Sequence, residues 1–228
     1  MATSNLWGNE LEFRRTVLSV VLLVIIVAGV IFTINNWIVG HRVLAFVELL
    51  VVVLSLAILA IHKKTTNLKL WSSVFLFALY TVILIGILTA SFTSALYSWL
   101  FIVPVLSYLL LGTQLGTIYS VLYVLSGCGI LTYRHIVHNP DTPVIAIVNI
   151  ALTLTAIWAL SYTYERKRAE TVKRLQEMAS LDPLTGLNNR LLLGSIFDML
   201  CETLPEKQKS VSMAVSYTHL TLPTKRIV

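Results

Sequence analysis

Apolar residues run in long unbroken stretches through the first three quarters of the chain, and polar residues collect in the short gaps between them. Neither the alternation of a half-buried strand nor the one-sided stripe of a soluble helix gives that pattern. The stretches cover residues 17–34, 43–61, 70–90, 99–111, 117–133 and 143–162. Since a membrane crossing takes about 20 apolar residues, they predict a bundle of about six transmembrane helices. The fourth contains Pro104, and only Gly112-Thr113-Gln114-Leu115-Gly116 separates it from the fifth. Both are short, so a re-entrant pair is the alternative there. From residue 161 to 180 the helix is expected to leave the bilayer and continue, with Val172, Leu175 and Ala179 spaced by three and four among Lys173, Arg174, Gln176 and Glu177. Such a seam suits a parallel two-stranded coil and hence a homodimer, while a solvated helix without a partner is the other reading. Beyond Arg190, Leu192, Leu193, Ile196, Phe197 and Leu200 mark one face of an amphipathic helix. A charged stretch at 206–210 and a strand-like stretch from Val211 to Val215 follow.

Composition changes the picture only by confirming the solvent. Of 228 residues, 57% are hydrophobic and 12% charged, with mean hydropathy +0.82, which excludes an ordinary soluble domain and makes the lipid bilayer the first partner. The net charge of +6 does not point to nucleic acid, because the basic residues flank apolar stretches, where they fix topology and meet anionic head groups. With the N-terminus inside, Arg14, Arg15, Lys63, Lys64, Lys69, Arg166, Lys167, Arg168, Lys173 and Arg174 are all cytoplasmic, leaving Arg42 and Arg134 outside. An even number of crossings then returns the C-terminal part to the cytosol. Glu10 and Glu12 precede the first stretch and no small-residue cleavage site follows it, so it reads as an anchor rather than a cleaved signal. Cys128 and Cys201 form no motif and read as packing residues.

Few side chains in the spans invite chemistry. Glu48 lies within the second, where a carboxylate is expensive enough to be a functional candidate, although a position near the outer interface about a turn and a half from Arg42 would also account for it. His41, His135 and His138 fall on the outer side without a ligand spacing, and read as loop histidines before metal or pH-sensing groups. Trp37, Trp71, Trp99, Tyr97 and Tyr133 stand near span ends, as an interfacial aromatic belt requires.

The chain turns on Leu181-Asp182-Pro183-Leu184-Thr185-Gly186-Leu187-Asn188-Asn189-Arg190. Pro183 lacks an N–H and restricts Asp182, so an arriving helix stops; Gly186 permits a tight turn; Asn188 or Asn189 can cap the next helix. With Asp182, Leu184, Thr185, Gly186, Leu187, Asn189 and Arg190 on the fixed positions, this string resembles the entry motif of GGDEF domains, the α/β catalytic domains of diguanylate cyclases. The resemblance covers residues 181–214 and implies a bacterial protein of the inner membrane, with Asp182 and Arg190 pairing across the turn. It further implies GTP as substrate and Mg²⁺ or Mn²⁺ as cofactor in a full-length parent. The family's metal-binding carboxylate after the first strand and its Gly-Gly-Asp/Glu-Glu-Phe hairpin are not in this sequence. No catalytic, cofactor-binding or metal-binding residue is therefore assigned, and the chain as written holds no cofactor.

Val215-Ser216-Tyr217-Thr218-His219-Leu220 can be encoded by GTC TCT TAT ACA CAT CTG, which resembles a transposon-end sequencing adapter read as protein, and residues 215–228 are accordingly expected to be non-native. The domain reading is a transmembrane sensory or anchoring domain at 1–163, a juxtamembrane signalling helix at 164–180, the N-terminal fragment of a GGDEF domain at 181–214, and that tail. The expected function is a membrane-anchored diguanylate cyclase with a transmembrane sensor, present here without its active site. A transmembrane receptor or interaction protein with a degenerate or absent cyclase domain is the alternative. A transporter fits less well, because apart from Glu48 the spans lack the ionisable residues that coupling uses.

Overall fold

A computed structural model describes residues 2–65, 67–89, 95–138 and 144–180. Every element among them is helical: α1 (Ala2–Val39), α2 (Arg42–Ile61), α3 (Leu68–Thr89), a 3₁₀ helix (Leu96–Phe101), α4 (Ile102–His138) and α5 (Val144–Ser180). Five helices are long and apolar enough to cross a membrane, the fourth being the run Leu96–Val137. Where a water-soluble bundle would hide its apolar residues, this one leaves Val20, Val27 and Ile31 of α1, Leu122 and Leu125 of α4, and Leu152 and Leu160 of α5 exposed. The buried set, including Leu18, Leu22, Ile58, Phe75, Leu76, Tyr80, Leu100, Leu110 and Leu154, fills the axis of the bundle instead.

The connections explain the antiparallel order. After α1, Gly40 takes φ 97°, and the amides of Gly40 and His41 both return to Asn36 O, at 3.1 and 2.9 Å. A left-handed residue closing the last turn in this way ends a helix sharply, so α2 starts at once beside α1. At the far end of α2, the amides of Lys64 and Thr65 fold back to Ile61 O before α3 begins.

The fourth and fifth predicted stretches form one element bent at Gly112, whose φ 79° and ψ −169° lie where only glycine is comfortable. The bend is a complete reversal. A Cβ added to Gly116 would sit 2.8 Å from Ser107 O, and one on Gly127 would sit 2.5 Å from Leu100, approaches impossible along a straight helix. The two limbs pack antiparallel, residues 102–111 continuing the 3₁₀ turn inward and residues 113–138 returning. At about 2.0 Å per 3₁₀ residue and 1.5 Å per α residue, the first limb from Leu96 is roughly 27 Å long, near the thickness of a bilayer core. Among the described residues, six antiparallel segments therefore come from five long helices, the fourth reversing at Gly112 without a loop.

Helix α5 runs unbroken through 37 residues, about 55 Å, and overshoots any bilayer core by several turns. Those turns hold the predicted signalling helix at 164–180, with Leu175 exposed and Val172 half-covered. The entry motif with Asp182, Leu184, Thr185, Gly186, Leu187, Asn189 and Arg190, the expected GGDEF fragment and the tail all lie outside the described residues.

Candidate functional site

Among the described residues, a buried carboxylate marks each end of the apolar bundle. At the end bearing the base of α1, the reversal of α4 and the exit of α5, Glu165 is 1% exposed and held between two guanidinium groups. Arg14 Nη2 donates to Glu165 Oε1 at 3.0 Å, while Arg168 donates from Nε to Oε2 at 2.8 Å and from Nη2 to Oε1 at 2.9 Å. The second bond pair is bidentate, the strong form of an arginine–carboxylate contact. Arg14 also donates to Glu10 Oε1 at 3.1 Å and, through Nη1, to Leu109 O at 3.1 Å. That carbonyl belongs to the last turn before Gly112, where the helix leaves its acceptors without intrahelical donors, so Arg14 caps the reversal. Arg168 lies 4.8 Å over the Phe13 ring. Three elements distant in sequence are thereby joined at the point where α5 leaves the bundle.

Beside this cluster, Arg15 reaches the end of α2, donating from Nη1 to His62 O at 2.8 Å and to Lys63 O, and from Nη2 to Thr65 O at 2.7 Å. His62 itself is buried, with Nδ1 2.7 Å from Leu59 O and Nε2 2.8 Å from Ser19 Oγ. Arginines expected merely to mark the membrane side thus also lock α1 to its neighbours.

At the opposite end Glu48 is buried, 8% exposed, and both its oxygens accept from Asn36 Nδ2, at 2.9 and 3.0 Å. Arg42 does not reach it; its guanidinium lies 5.6 Å over the Trp37 ring. Glu48 faces a cavity of about 70 Å³ bounded by α1, α2, α3 and the 3₁₀ turn. Trp99 lines that cavity and meets Phe32 edge to face at 5.8 Å, so it serves the interior, whereas Trp37 and Tyr133 are exposed as a belt requires.

The sequence singled out Glu48 but not Asn36, and read Arg14 and Arg168 as topology markers without seeing Glu165 between them. One available signal was a glutamate standing alone in the basic run Glu165-Arg166-Lys167-Arg168. Among the described residues no group of three or more His, Cys, Asp or Glu side chains could hold a metal ion. His41 and His135 therefore belong to no such cluster.

A helical membrane bundle whose last span continues as a charged helix, locked at its exit by an arginine–glutamate cluster, has the build of a membrane-associated sensor domain. The family model of that kind that matches is MASE6, over residues 8–175, and the chain belongs to the MASE6 family, which is often found with GGDEF proteins. No curated protein and no solved structure matches the chain significantly.

Proposed function

We propose that this chain is the sensory and anchoring input of a membrane-bound diguanylate cyclase of the bacterial inner membrane, crossing the bilayer six times with both ends of the bundle segment cytoplasmic. One observation carries the reading: α5 continues without a break from the bundle to Ser180, two residues before Asp182 of the GGDEF-like entry motif. Orientation is supported by the basic residues, since Arg14, Arg15, Lys63, Arg166, Lys167 and Arg168 gather at the end where α5 exits.

Two GTP molecules are condensed only when two cyclase domains face each other, so mutual placement sets the rate without any change in either active site. A dimer joined through Val172, Leu175 and Ala179 would pass rotation or separation of the bundles to Asp182. The arginine–glutamate cluster gives each helix a fixed exit. Mg²⁺ would neutralise phosphate charge in the full-length parent, but the carboxylates to hold it are not among this chain's residues.

The test is cyclic di-GMP production by the full-length protein with native sequence restored after Ala214. Inserting one residue between Gln176 and Glu177 turns everything downstream by about 100°, whereas seven nearly restores the phase. Output is expected to change several-fold with the first and to return toward the parent level with the second. Equal, unchanged output from both would make the helix a passive tether. Absence of product from the restored protein would favour a receptor or interaction protein with no working cyclase.

A further inference from the structure

The buried carboxylate at the second site lacks what the first one has. Glu165 is met by two guanidinium groups, but Glu48 is met by one neutral amide, and no ion pair to it occurs among the described residues. The nearest basic residue on its own helix, Arg42, is committed to the Trp37 ring. A charge taken out of water is costly unless an opposite charge accompanies it. An incoming cation would supply the opposite charge, and the cavity beside Glu48 is where one would sit.

We infer that the cavity bounded by α1, α2, α3 and the 3₁₀ turn is a binding site for a small organic ammonium ion, with Glu48 as its counter-charge and Phe32 and Trp99 as its aromatic wall.

The walls decide against the other occupants. Besides Glu48 they are aliphatic or aromatic, including Ile25, Ala28, Val82 and Ile83. An ordered water needs two to four polar partners and would find few there. Magnesium or calcium would ask for about six oxygen ligands. Methyl and methylene groups suit such walls, and a cation presented to the face of a tryptophan or phenylalanine ring is attracted by its quadrupole. The cavity is small, about 70 Å³, and open on one side, so a compact ammonium head can sit against Glu48 with its substituents reaching the opening. Tetramethylammonium and propylammonium are compact ions of this kind, and tetraethylammonium is bulkier. This inference deepens the sensor reading and rests on it only for the ligand's physiological meaning, because binding is measured without any output domain.

The experiment is calorimetric titration of the full chain in lipid nanodiscs with tetramethylammonium, with propylammonium, and with tert-butanol as a neutral molecule of the same heavy-atom count as tetramethylammonium. Saturable binding of the ammonium ions is expected, at least about tenfold tighter than tert-butanol, since contacts to a charged group are the stronger kind. Glu48→Gln, which keeps an acceptor for Asn36, should lose that preference without lowering the melting temperature of the unliganded protein. Gly86→Val should abolish binding by filling the cavity, because an added Cβ there meets only Leu96, at 3.9 Å. Tetraethylammonium should bind more weakly. Failure of both small ammonium ions to bind, equal affinity for tert-butanol, or unaltered binding by Glu48→Gln would each overturn the inference. None of those outcomes alters the cyclic di-GMP response to helix insertions, so the two readings fail separately.

Discussion

Glu165 at the exit of α5 and Glu48 near the turn between α1 and α2 are both buried acids in a lipid-facing bundle, but their surroundings differ in completeness. Glu165 has two charged donors, Arg14 and Arg168, of which one also caps the reversal of α4. Glu48 has one amide and an apolar cavity. A carboxylate fully answered from within its own chain holds helices together. One answered only in part retains capacity for something that arrives. The two ends of the bundle therefore differ, with a complete ion cluster where α5 exits and an incompletely partnered acid at the other end.

The contrast can be broken most severely at the complete site. Glu165→Ala takes the shared acceptor from two partly buried guanidinium groups and should cost about 3 kcal/mol, read as a large fall in the thermal midpoint in detergent. A fall no larger than that of a surface substitution would mean that the cluster does not hold the exit. At the incomplete site, Asn36→Ala removes the single donor to Glu48 and should cost less, about 1–3 kcal/mol, in the same measurement. Should Asn36→Ala prove as damaging as Glu165→Ala, Glu48 is a structural acid like the other. The smallest effect is expected one turn along α5, where Glu170 pairs with Arg166 at 3.3 Å and Lys167 at 2.9 Å on an exposed face. Exposed pairs contribute little, so Glu170→Ala should leave the midpoint unmoved, and any clear shift would extend the cluster outward along the helix.

Much of the fold could be read from apolar run length. The stretches 43–61 and 70–90 fall within two residues of α2 (Arg42–Ile61) and α3 (Leu68–Thr89), because in a bilayer the run itself is the element. Helix α1 begins well before its apolar stretch, since helix propensity and the contacts of Arg14 carry it through a charged segment that hydropathy alone discounts. Gly112 and Gly116 were visible as a break, but not that the break is a loopless reversal with packed limbs, which depends on φ at one residue. The candidate sites were half legible. A carboxylate in an apolar run announces itself, whereas its partner Asn36 is set by how α1 and α2 meet. Glu165 was hidden by its neighbours, as a lone acid among bases looks like surface charge until a second helix arrives. Trp37 and Tyr133 are exposed while Trp99 lines the cavity, because position near a span end says nothing about which way a ring turns.

The Arg14–Glu165 contact joins residues 151 positions apart. At a synthesis rate of about 5–20 residues per second, Arg14 emerges roughly 8–30 s before the glutamate that receives it exists. During that interval the first helices stand in the bilayer with an arginine at their base lacking its principal acceptor. The contact can close only once α5 has been made and seated, so biogenesis of the bundle ends on the joint from which the outgoing helix departs. A nascent chain stalled before α5 would leave Arg14 with Glu10 and Leu109 O alone, a joint without its third member.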